Sequence, residues 1–336
     1  MTTVSFIIPS YNSEETLKQC LDSLLQEDVL DDIEIVIVND GSTDSTSEIA
    51  QAYADKHPAF RVINKANGGH GSAINCAVSS LRGRYFSVLD SDDWVRNLPV
   101  YVKSLKSTDA QVVLTPYRMI NVVDGTVQEY SIKGLEFGRV YDLAAFFANC
   151  QQVADVCALH GITYDTAFYR ACNLTLSEKV SYEDLEFTVL PFANVESILP
   201  LDIFLYEYGI GYPNQSMSES NQIKRIHQLA TVLFKIIDSP PPATNKPAWD
   251  YYFYRVKSTV LTYHVIALIR NPDKANGRKL AREFRKQIKQ RDTYVHKATR
   301  RSFWYCYILS FTGFTTQTMA RWRNTRIYKF FGRRLR

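Results

Sequence analysis

The chain has 336 residues, of which 46% are apolar and 22% charged, and its formal net charge is +4. This length and apolar content are enough to bury a sizeable core in one or two domains. The six cysteines form no CxxC pair and no metal-type spacing, which favours reduced core cysteines of a cytosolic protein over a disulfide framework. The opening stretch MTTVSFIIPSYN has no basic segment and turns polar at once, which argues against a signal peptide.

The net charge hides an imbalance between two parts of the chain. From Arg270 onward there are 19 Lys and Arg residues against 3 acids, a net charge of +16. Residues 1–269 carry 20 basic and 32 acidic residues, a net charge of −12. Parts of opposite sign predict an enzymatic body and a basic tail that meets something anionic.

The first third of the chain alternates between short apolar runs and helical stretches. The apolar runs predict strands that are buried on both faces, at 4–9, 34–40, 61–65, 85–90 and 111–116. Between them, EETLKQCLDSLLQ, STSEIAQAYADKH and GSAINCAVSSL predict helices, the first of them capped by Asn12 with Glu15. This alternation predicts a mostly parallel α/β sheet, with ligands beyond the carboxyl ends of the strands.

The rest of the chain changes character. NVVDGTVQEYS predicts a hairpin around Asp124 and Gly125, followed by helical pieces and the acid-rich stretch SYEDLEF. After residue 220 the pattern is mostly helical, with a break at SPPPATNKP (239–247). The predicted organisation is a catalytic domain at 1–220, with a nucleotide-binding half at 1–120 and an acceptor half at 121–220, followed by a basic helical region at 221–336.

One long uncharged run lies near the end of the chain. The run from Ser302 to Ala320 has 19 residues, but 8 of them are polar or glycine, too many for a hydrocarbon core. Its aromatic residues, flanked by Lys and Arg, fit a segment in the membrane interface, and a basic helical subdomain packed on the body is the alternative. The expected location is the cytoplasm, either free or peripheral at the inner face of the cell membrane.

A concentration of acids follows the fourth predicted strand. RYFSVLDSDDW places Asp90, Asp92 and Asp93 directly after an apolar run, with only Ser91 among them. Mg²⁺ and Mn²⁺ take oxygen ligands, usually one or two carboxylates from the protein and the rest from water and substrate phosphates. The alternative is a solvated acidic turn. A phosphatase with an aspartyl nucleophile would instead carry its DxD after the first strand.

The polar segments after the other strands complete a pattern. PSYNSEE, VNDGSTDST and NKANGGHGS, together with DSDDW, occupy four successive strand ends. In order and spacing, residues 3–215 resemble the nucleotide-sugar domain of the inverting glycosyltransferases of family 2, which have the Rossmann-like fold called GT-A. The chain has no GxGxxG pattern and no P-loop, so dinucleotide and ATP sites lose support.

The resemblance implies how these strand ends would bind a UDP-sugar. Pro9 and Tyr11 would line the uracil slot, and Asp40 would accept a hydrogen bond from the uracil N3–H. Asn67 and Gly68 would complete the nucleotide wall, because glycine lets the backbone approach a ligand closely.

The resemblance also assigns the acidic segment. Asp90 would face the ribose, and Asp92 would hold the Mn²⁺ or Mg²⁺ ion that bridges both phosphates, with Asp90 as a second candidate ligand. Ser91 would belong to the same donor-binding segment. Many relatives carry an arginine at the position of Ile74, and His70 is a candidate substitute for it.

SYEDLEF supplies the candidate catalytic pair. Transfer with inversion needs a base that takes the proton of the acceptor hydroxyl as its oxygen attacks the anomeric carbon. Glu183 and Asp184 resemble the ED motif of the family, whose aspartate is that base, and an ordinary aspartate is already ionised at neutral pH. Glu183 would orient the acceptor or shape the base. A carboxylate pair favoured by a helix start is the structural alternative.

Three further features stay open. YEYGIGYPNQSMS (206–218) resembles the segment that closes over the diphosphate, but Gln215 and Ser216 stand where some relatives carry a histidine, so a third metal ligand is not assigned. His160 is an acceptor-side candidate by its position in the sequence alone. QTMARW (317–322) has one residue more than the QxxRW of processive synthases, which favours a non-processive enzyme.

The sequence therefore predicts a metal-dependent enzyme that adds one sugar from a UDP-sugar to a hydroxyl group. The basic tail predicts an anionic or membrane-borne acceptor, such as a cell-envelope glycan, a teichoic-acid-like polymer or a lipid-linked saccharide, and no nucleic acid. A sugar-phosphate nucleotidyltransferase is one alternative, although it would carry a Gly-rich basic loop where this chain has SYNSEE. A non-catalytic carbohydrate- or nucleotide-binding protein is the other alternative. Such a protein would not need these acids, so the presence of Asp92 and Asp184 argues against it.

Overall fold

The computed structural model of the chain describes residues 2–212 and 219–312, together with residues 314 and 318. The chain divides into two compact units. The first unit comprises Met1–Gln215 and Pro240–Tyr252, and the second comprises Ser216–Ser239 and Phe253–Arg336. The Pro-rich stretch after residue 239 therefore returns the chain to the first unit before the second unit resumes.

The described part of the first unit contains two β-sheets. Its strands are β1 (Val4–Ser10), β2 (Ile33–Asn39), β3 (Phe60–Asn64), β4 (Tyr85–Val88), β5 (Trp94–Val95), β6 (Val112–Leu114), β7 (Tyr117–Asn121), β8 (Val127–Tyr130), β9 (Ile162–Asp165), β10 (Ile198–Pro200) and β11 (Tyr206–Ile210). The larger sheet has the order β10-β6-β9-β4-β1-β2-β3, and the smaller has the order β5-β11-β7-β8. In the larger sheet every pairing is parallel except the two that β9 makes with β4 and β6.

The predicted α/β architecture is confirmed. The five predicted strands correspond to β1 to β4 and β6, and β1, β2 and β4 are buried at every position. Parallel strands read as continuous apolar runs because helices cover both faces of their sheet. The predicted hairpin is also present, with β7 antiparallel to β8 and Gly125 at φ +71° in the turn.

Of the helices within residues 2–212, the first three begin and end close to the predicted positions. In chain order the helices of this range are α1 (Leu17–Leu24), α2 (Thr46–Lys56), α3 (His70–Val78), α4 (Leu98–Lys106), α5 (Leu143–Asn149), α6 (Val153–Val156), α7 (Thr166–Ala171) and α8 (Asp184–Val189). The core between α1, α4 and the sheet contains Leu17, Leu21, Tyr101 and Leu105, all fully buried. All six cysteines are free, as predicted.

The predicted cap of the first helix is wrong. α1 begins at Leu17 and no side chain caps its start. Asn12 lies further upstream at φ 49°, and its side-chain oxygen accepts a hydrogen bond from the backbone N–H of Thr43 at 2.9 Å. Asparagine tolerates this left-handed conformation better than most residues. The side chain therefore joins the loop after β1 to the loop after β2 instead of capping the helix.

The second unit is helical in its described part, as predicted. It contains α9 (Glu219–Lys224), α10 (Ile226–Asp238), most of α11 (Lys246–Val265), α12 (Lys274–Arg291), α13 (Thr293–Ala298) and α14 (Arg300–Leu309). Aromatic side chains form part of its core, where Phe284 stacks on Tyr263 and Phe234. Among the described residues, no helix is both long enough and apolar enough to cross a membrane.

Candidate active site

The sheet order gathers the predicted site segments at one edge. β1 lies between β2 and β4 and runs parallel to both, so the segments that follow these three strands leave the sheet on the same side. A hydrogen bond joins the segment after β1 to the segment after β4, since the Ser13 hydroxyl lies 2.7 Å from the Ser91 hydroxyl. Asp40 and Asp90 therefore lie at one edge of the sheet, where α/β proteins bind their ligands.

The segment after β1 offers a ring at this edge. Pro9 is buried inside β1, whereas Tyr11, just beyond the end of the strand, is 53% exposed. The Tyr11 ring is thus accessible to a flat ligand, and Pro9 contributes backbone and packing.

Asp40 is buried and holds the loop after β3 in place. Its carboxylate accepts hydrogen bonds from the Lys65 ammonium at 2.7 Å and from the backbone N–H groups of Gly68 and Gly69 at 2.9 and 2.7 Å. A carboxylate has about four acceptor positions, so these three donors leave about one for a ligand. Neighbouring Asn67 is exposed at the same loop. The pairing of Asp40 with Lys65 was not predicted from the sequence.

His70 joins the two acidic segments. As the first residue of α3 it brings Nε2 to 2.9 Å from Asp90 Oδ1 and Nδ1 to 2.7 Å from Glu183 Oε1. Burial disfavours the charged imidazole, but the hydrogen bonds and charges of Asp90 and Glu183 outweigh it and hold the pKa of His70 well above its usual value. The imidazolium donates from both nitrogens, and Ile74 is buried one turn further along α3.

The three aspartates of the acidic segment have different surroundings. Burial opposes the charge of Asp90, but its hydrogen bond to His70 lowers the pKa of Asp90 below its usual value. Burial, reinforced by the charge of Asp90, raises the pKa of Asp92 to about 6. Asp93 is the most buried of the three, and burial with the charges of Asp90 and Asp92 holds its pKa well above the usual value.

Asp93 attaches this segment to the smaller sheet. It accepts hydrogen bonds from the Tyr206 hydroxyl at 2.6 Å and from the backbone N–H of Gly209 at 2.7 Å, both in β11. The Tyr206 hydroxyl also accepts a hydrogen bond from the backbone N–H of Asp90 at 3.1 Å. The sequence showed Asp93 as one of three acids but gave it no separate role.

A group of potential metal ligands lies beside the same segment. Single ligand atoms of Asp90, Asp93 and His160 lie within 4.8 Å of one another. Burial lowers the pKa of His160, which keeps its imidazole neutral and able to ligate, and the ring stacks on Tyr208 at 4.5 Å. Asp92 does not belong to this group, although the sequence predicted it together with Asp90.

A divalent cation fits these donors. Asp92 and Asp93 lie close to the charged Asp90, and after burial the charges of the neighbouring carboxylates raise the cost of ionising both of them. A divalent ion relieves that repulsion, and carboxylate oxygens and a neutral imidazole are both ligands that divalent ions accept. His160 was not predicted on this side of the site, because nothing in its local sequence sets it beside Asp90.

The predicted catalytic pair lies at the start of α8. Glu183 is buried, with Oε1 bound to His70, and no described residue hydrogen-bonds its Oε2. Asp184 is exposed as the first residue of the helix. Burial is the main cause that raises the pKa of Tyr208, followed by the charges of Asp93, Asp90, Asp92 and Asp184. Both acidic segments therefore act on this one tyrosine, and carboxylates of both lie within electrostatic range of its side chain.

The matches to known proteins cover the part of the chain that builds this site. Residues 5–162 match the family model described as Glycosyl transferase family 2. This part of the chain is a family 2 glycosyltransferase domain. Over 209 residues the chain is 31% identical to the uncharacterized glycosyltransferase EpsJ of Bacillus subtilis, covering 61% of this chain and 60% of EpsJ. Over 160 residues it is 36% identical to the chondroitin synthase of Pasteurella multocida, covering 47% of this chain and 16% of that enzyme.

The chain thus spans less than two thirds of the length of either relative. The glycosyltransferase domain and the helices that follow it also resemble a solved structure. The fragment 1–349 of TarS from S. aureus, solved in complex with UDP-GlcNAc, superimposes with a TM-score of 0.65 at 19% identity, covering 91% of this chain and 89% of the fragment. This likeness confirms the GT-A fold predicted from the strand-end motifs.

Some features predicted from the sequence fall outside the described residues. Gln215 and Ser216, in the segment expected to close over the diphosphate, are among them, and so is QTMARW apart from Thr318. The predicted interfacial run from Ser302 is described through residue 312, and α14 forms most of that part.

Proposed function

We propose that the chain is an inverting glycosyltransferase that transfers one sugar from a UDP-sugar to a hydroxyl group of a cell-envelope glycan. The observation that carries this proposal is the pair of hydrogen bonds from His70 to Asp90 and Glu183. They join the donor-side acid of one motif to the acid beside the expected base in another. A non-catalytic binding protein has no need of this connection.

The donor would bind across the three neighbouring strand ends. The exposed ring of Tyr11 offers a stacking surface for the base, and Asp40 has about one acceptor position left for the base N3–H. Asn67 and Gly68 would form the wall next to it. The TarS fragment, solved with UDP-GlcNAc, supports a uridine diphosphate sugar.

Asp90 and Asp92 are the residues that would hold a divalent cation, and Asp93 with His160, whose ligand atoms lie within 4.8 Å of that of Asp90, are the alternative to Asp92. When bound, such an ion acts as a Lewis acid that stabilises the negative charge of a departing diphosphate. The protein residues have the task of holding these ligands close together in a buried space. His70 holds Asp90 in place, and Tyr206 fixes Asp93 beside it.

Asp184 would act as the base. It is exposed towards solvent, as a base that receives a large acceptor must be. As the acceptor oxygen bonds to the anomeric carbon, its proton passes to the Asp184 carboxylate and the bond to the UDP oxygen breaks on the opposite face, which inverts the configuration. Glu183, fixed by His70, would orient the acceptor or the base from the adjacent position.

The acceptor would be an anionic or lipid-linked glycan. The relatives support a glycan acceptor, since one of them is a chondroitin synthase. The region from Arg270 onward, with its net charge of +16, supports an anionic one, such as a teichoic-acid-like polymer or a lipid-linked saccharide at the inner face of the cell membrane. The absence of a QxxRW motif at the usual distance supports transfer of a single sugar.

The proposal is tested by measuring UDP release from a panel of UDP-sugars, with and without Mn²⁺, in the presence of short glycan acceptors. We expect release from at least one donor that depends on the metal and is lost in D184N, with an inverted anomer in the product. If UDP binds but no donor is turned over, the protein is a binding module. If UTP and a sugar phosphate react to release pyrophosphate instead, it is a nucleotidyltransferase.

A further inference from the structure

The second unit contains a pocket that plays no part in the proposed donor site. It has a volume of about 280 Å³ and is lined by Arg282, Arg285, Phe303, Trp304 and Tyr307. The arginines come from neighbouring turns of α12 and the aromatic residues from α14. Charged side chains from one helix and aromatic side chains from another thus line one open pocket.

Arg285 contributes a buried positive charge to this pocket. The residue is only 9% exposed, and its guanidinium group lies 4.6 Å from the centre of the Phe303 ring. Nη2 donates to His296 Nε2 at 2.9 Å, whereas no described residue accepts a hydrogen bond from the buried Nη1. A buried charged donor without an acceptor costs free energy, unless a ligand supplies the acceptor.

Arg282 stands beside it without a countercharge. Its Nη1 donates to the Tyr307 hydroxyl at 2.8 Å, and no described carboxylate lies within 4.0 Å of either pocket arginine. Elsewhere in the described part of this unit, Arg270 pairs with Glu219 and Arg291 with Asp238. Residues 313–336 contain no Asp or Glu, so the remainder of this sequence has no acidic side chain to offer.

We propose that this pocket binds a phosphate-class anion, such as the phosphodiester of a polymer or of a lipid head group. A guanidinium group donates two parallel hydrogen bonds, a geometry that matches the oxygens of a phosphate group. Two guanidinium groups together can bind more oxygens than the two of a carboxylate, which favours a phosphate group. Trp304, half exposed at the rim, would cover the organic group attached to the phosphate. The pocket volume of about 280 Å³ lies near the lower end of the range for small-molecule sites, so the pocket can hold a phosphate with a small organic group.

This inference goes beyond the proposed function, because it concerns the unit that carries none of the donor-site residues. It assigns to the basic region a defined anion site in place of a diffuse positive charge. An activated donor is not needed to detect it, so its test is independent of any sugar transfer.

The test measures binding to the full chain without a donor sugar. One probe is glycerophosphoglycerol, with glycerol as its uncharged counterpart, followed by isothermal titration calorimetry. The other is a vesicle of one part phosphatidylglycerol to three parts phosphatidylcholine, with pure phosphatidylcholine as its net-neutral counterpart, followed by cosedimentation. The variants are R282Q, R285Q and, as a charge-matched control on an exposed position of the same helix, K286Q.

We expect R282Q and R285Q each to weaken binding about tenfold or more, because each loses a charge-assisted hydrogen bond, and K286Q to change it less than twofold. Because R285Q removes a buried group, its fold is checked by circular dichroism, and the exposed R282Q decides the outcome if R285Q does not fold. Binding of the soluble probe identifies a free phosphodiester, and binding of the vesicle alone identifies a lipid head group. The proposal is overturned if neither probe binds the wild type, or if K286Q weakens binding as much as R282Q.

Discussion

His70 donates hydrogen bonds to Asp90 and Glu183 at the same time, at 2.9 and 2.7 Å. Glu183 lies 113 positions after His70, so the contact joins two segments that are far apart in the chain. An imidazolium between two carboxylates leaves the group with one net negative charge instead of two. His70 is therefore a positioning residue for both acidic segments.

Removing this imidazolium should disturb both segments together. In H70A the buried Glu183 loses its partner and Asp90 loses its countercharge, so we expect the free energy of unfolding to fall by about 1–3 kcal/mol. We also expect kcat and the affinity for UDP to fall together, because His70 contacts both sides. Urea denaturation and UDP titration measure the two effects.

A double-mutant cycle separates this coupling from a general loss of stability. The effects of H70A and E183Q should be clearly smaller in combination than the sum of the single effects, since both break the same hydrogen bond. H57A, a variant of a histidine outside the site, is the control. Additive effects of H70A and E183Q would contradict a coupling through this contact.

Changing the proposed base should separate chemistry from binding. Asp184 is exposed at the start of α8, so D184N should leave the fold and UDP affinity nearly unchanged while turnover falls roughly 10²–10⁴-fold. Stopped assays of UDP release and calorimetric titration of UDP test this. D202N, at an exposed position away from the site, is the matched control. Equal losses of turnover and UDP affinity in D184N would rule out the assignment as base.

The main strands could be predicted well from the sequence because their burial is visible in the local run of apolar residues. β1 and β2 are each apolar at five of their seven positions, as is typical of strands covered on both faces. β5, β9, β10 and β11 were not predicted, since they are only two to five residues long and lie within mixed sequence. The insertion of β9 between β4 and β6, antiparallel to both, is a tertiary choice with no local pattern.

The candidate site was predictable only in part, for the same reason. Acids at strand ends follow from the parallel sheet, so Asp40 and Asp90 could be placed at one edge in advance. The contacts of His70 with Glu183 and of Tyr206 with Asp93 join loops over more than a hundred positions, and no spacing rule reaches that far. Asn12 shows the converse error, since its local pattern predicted a helix cap and a neighbouring loop uses the side chain instead.

The acidic segment should divide into a metal-binding and a structural carboxylate. D92N should raise the Mn²⁺ concentration needed for half-maximal UDP release at least tenfold with little effect on stability, because Asp92 is only partly buried. D93N should lower stability by about 1–3 kcal/mol, because it disturbs the buried hydrogen bonds from Tyr206 and Gly209. Metal titrations after chelation by EDTA, together with thermal melts, measure both.

Y206F is the matched control for that division. It removes the hydroxyl that binds Asp93 and leaves every carboxylate in place, so it should lower stability as D93N does and leave the metal requirement close to that of the wild type. A metal requirement unchanged in D92N and raised in D93N would exchange the two roles, and Asp93 with His160 would then be the ligands.

His264 should make the protein less stable in mild acid. It lies in α11 between the rings of Phe284 and Phe303, no described residue hydrogen-bonds either ring nitrogen, and burial, helped by the charge of Arg285, lowers its pKa from 6.5 to about 3. Between pH 6.5 and about pH 3, the unfolded chain therefore binds a proton at this histidine that the folded chain does not bind. Stability is fully present above pH 6.5 and is lost as the pH falls towards 3, by about 2 kcal/mol from pH 7 to pH 5. Urea denaturation at both pH values should show this loss in the wild type, a loss smaller by about that amount in H264L, and no such reduction in H57L. An equal loss in the wild type and H264L would mean that His264 titrates normally in the folded protein.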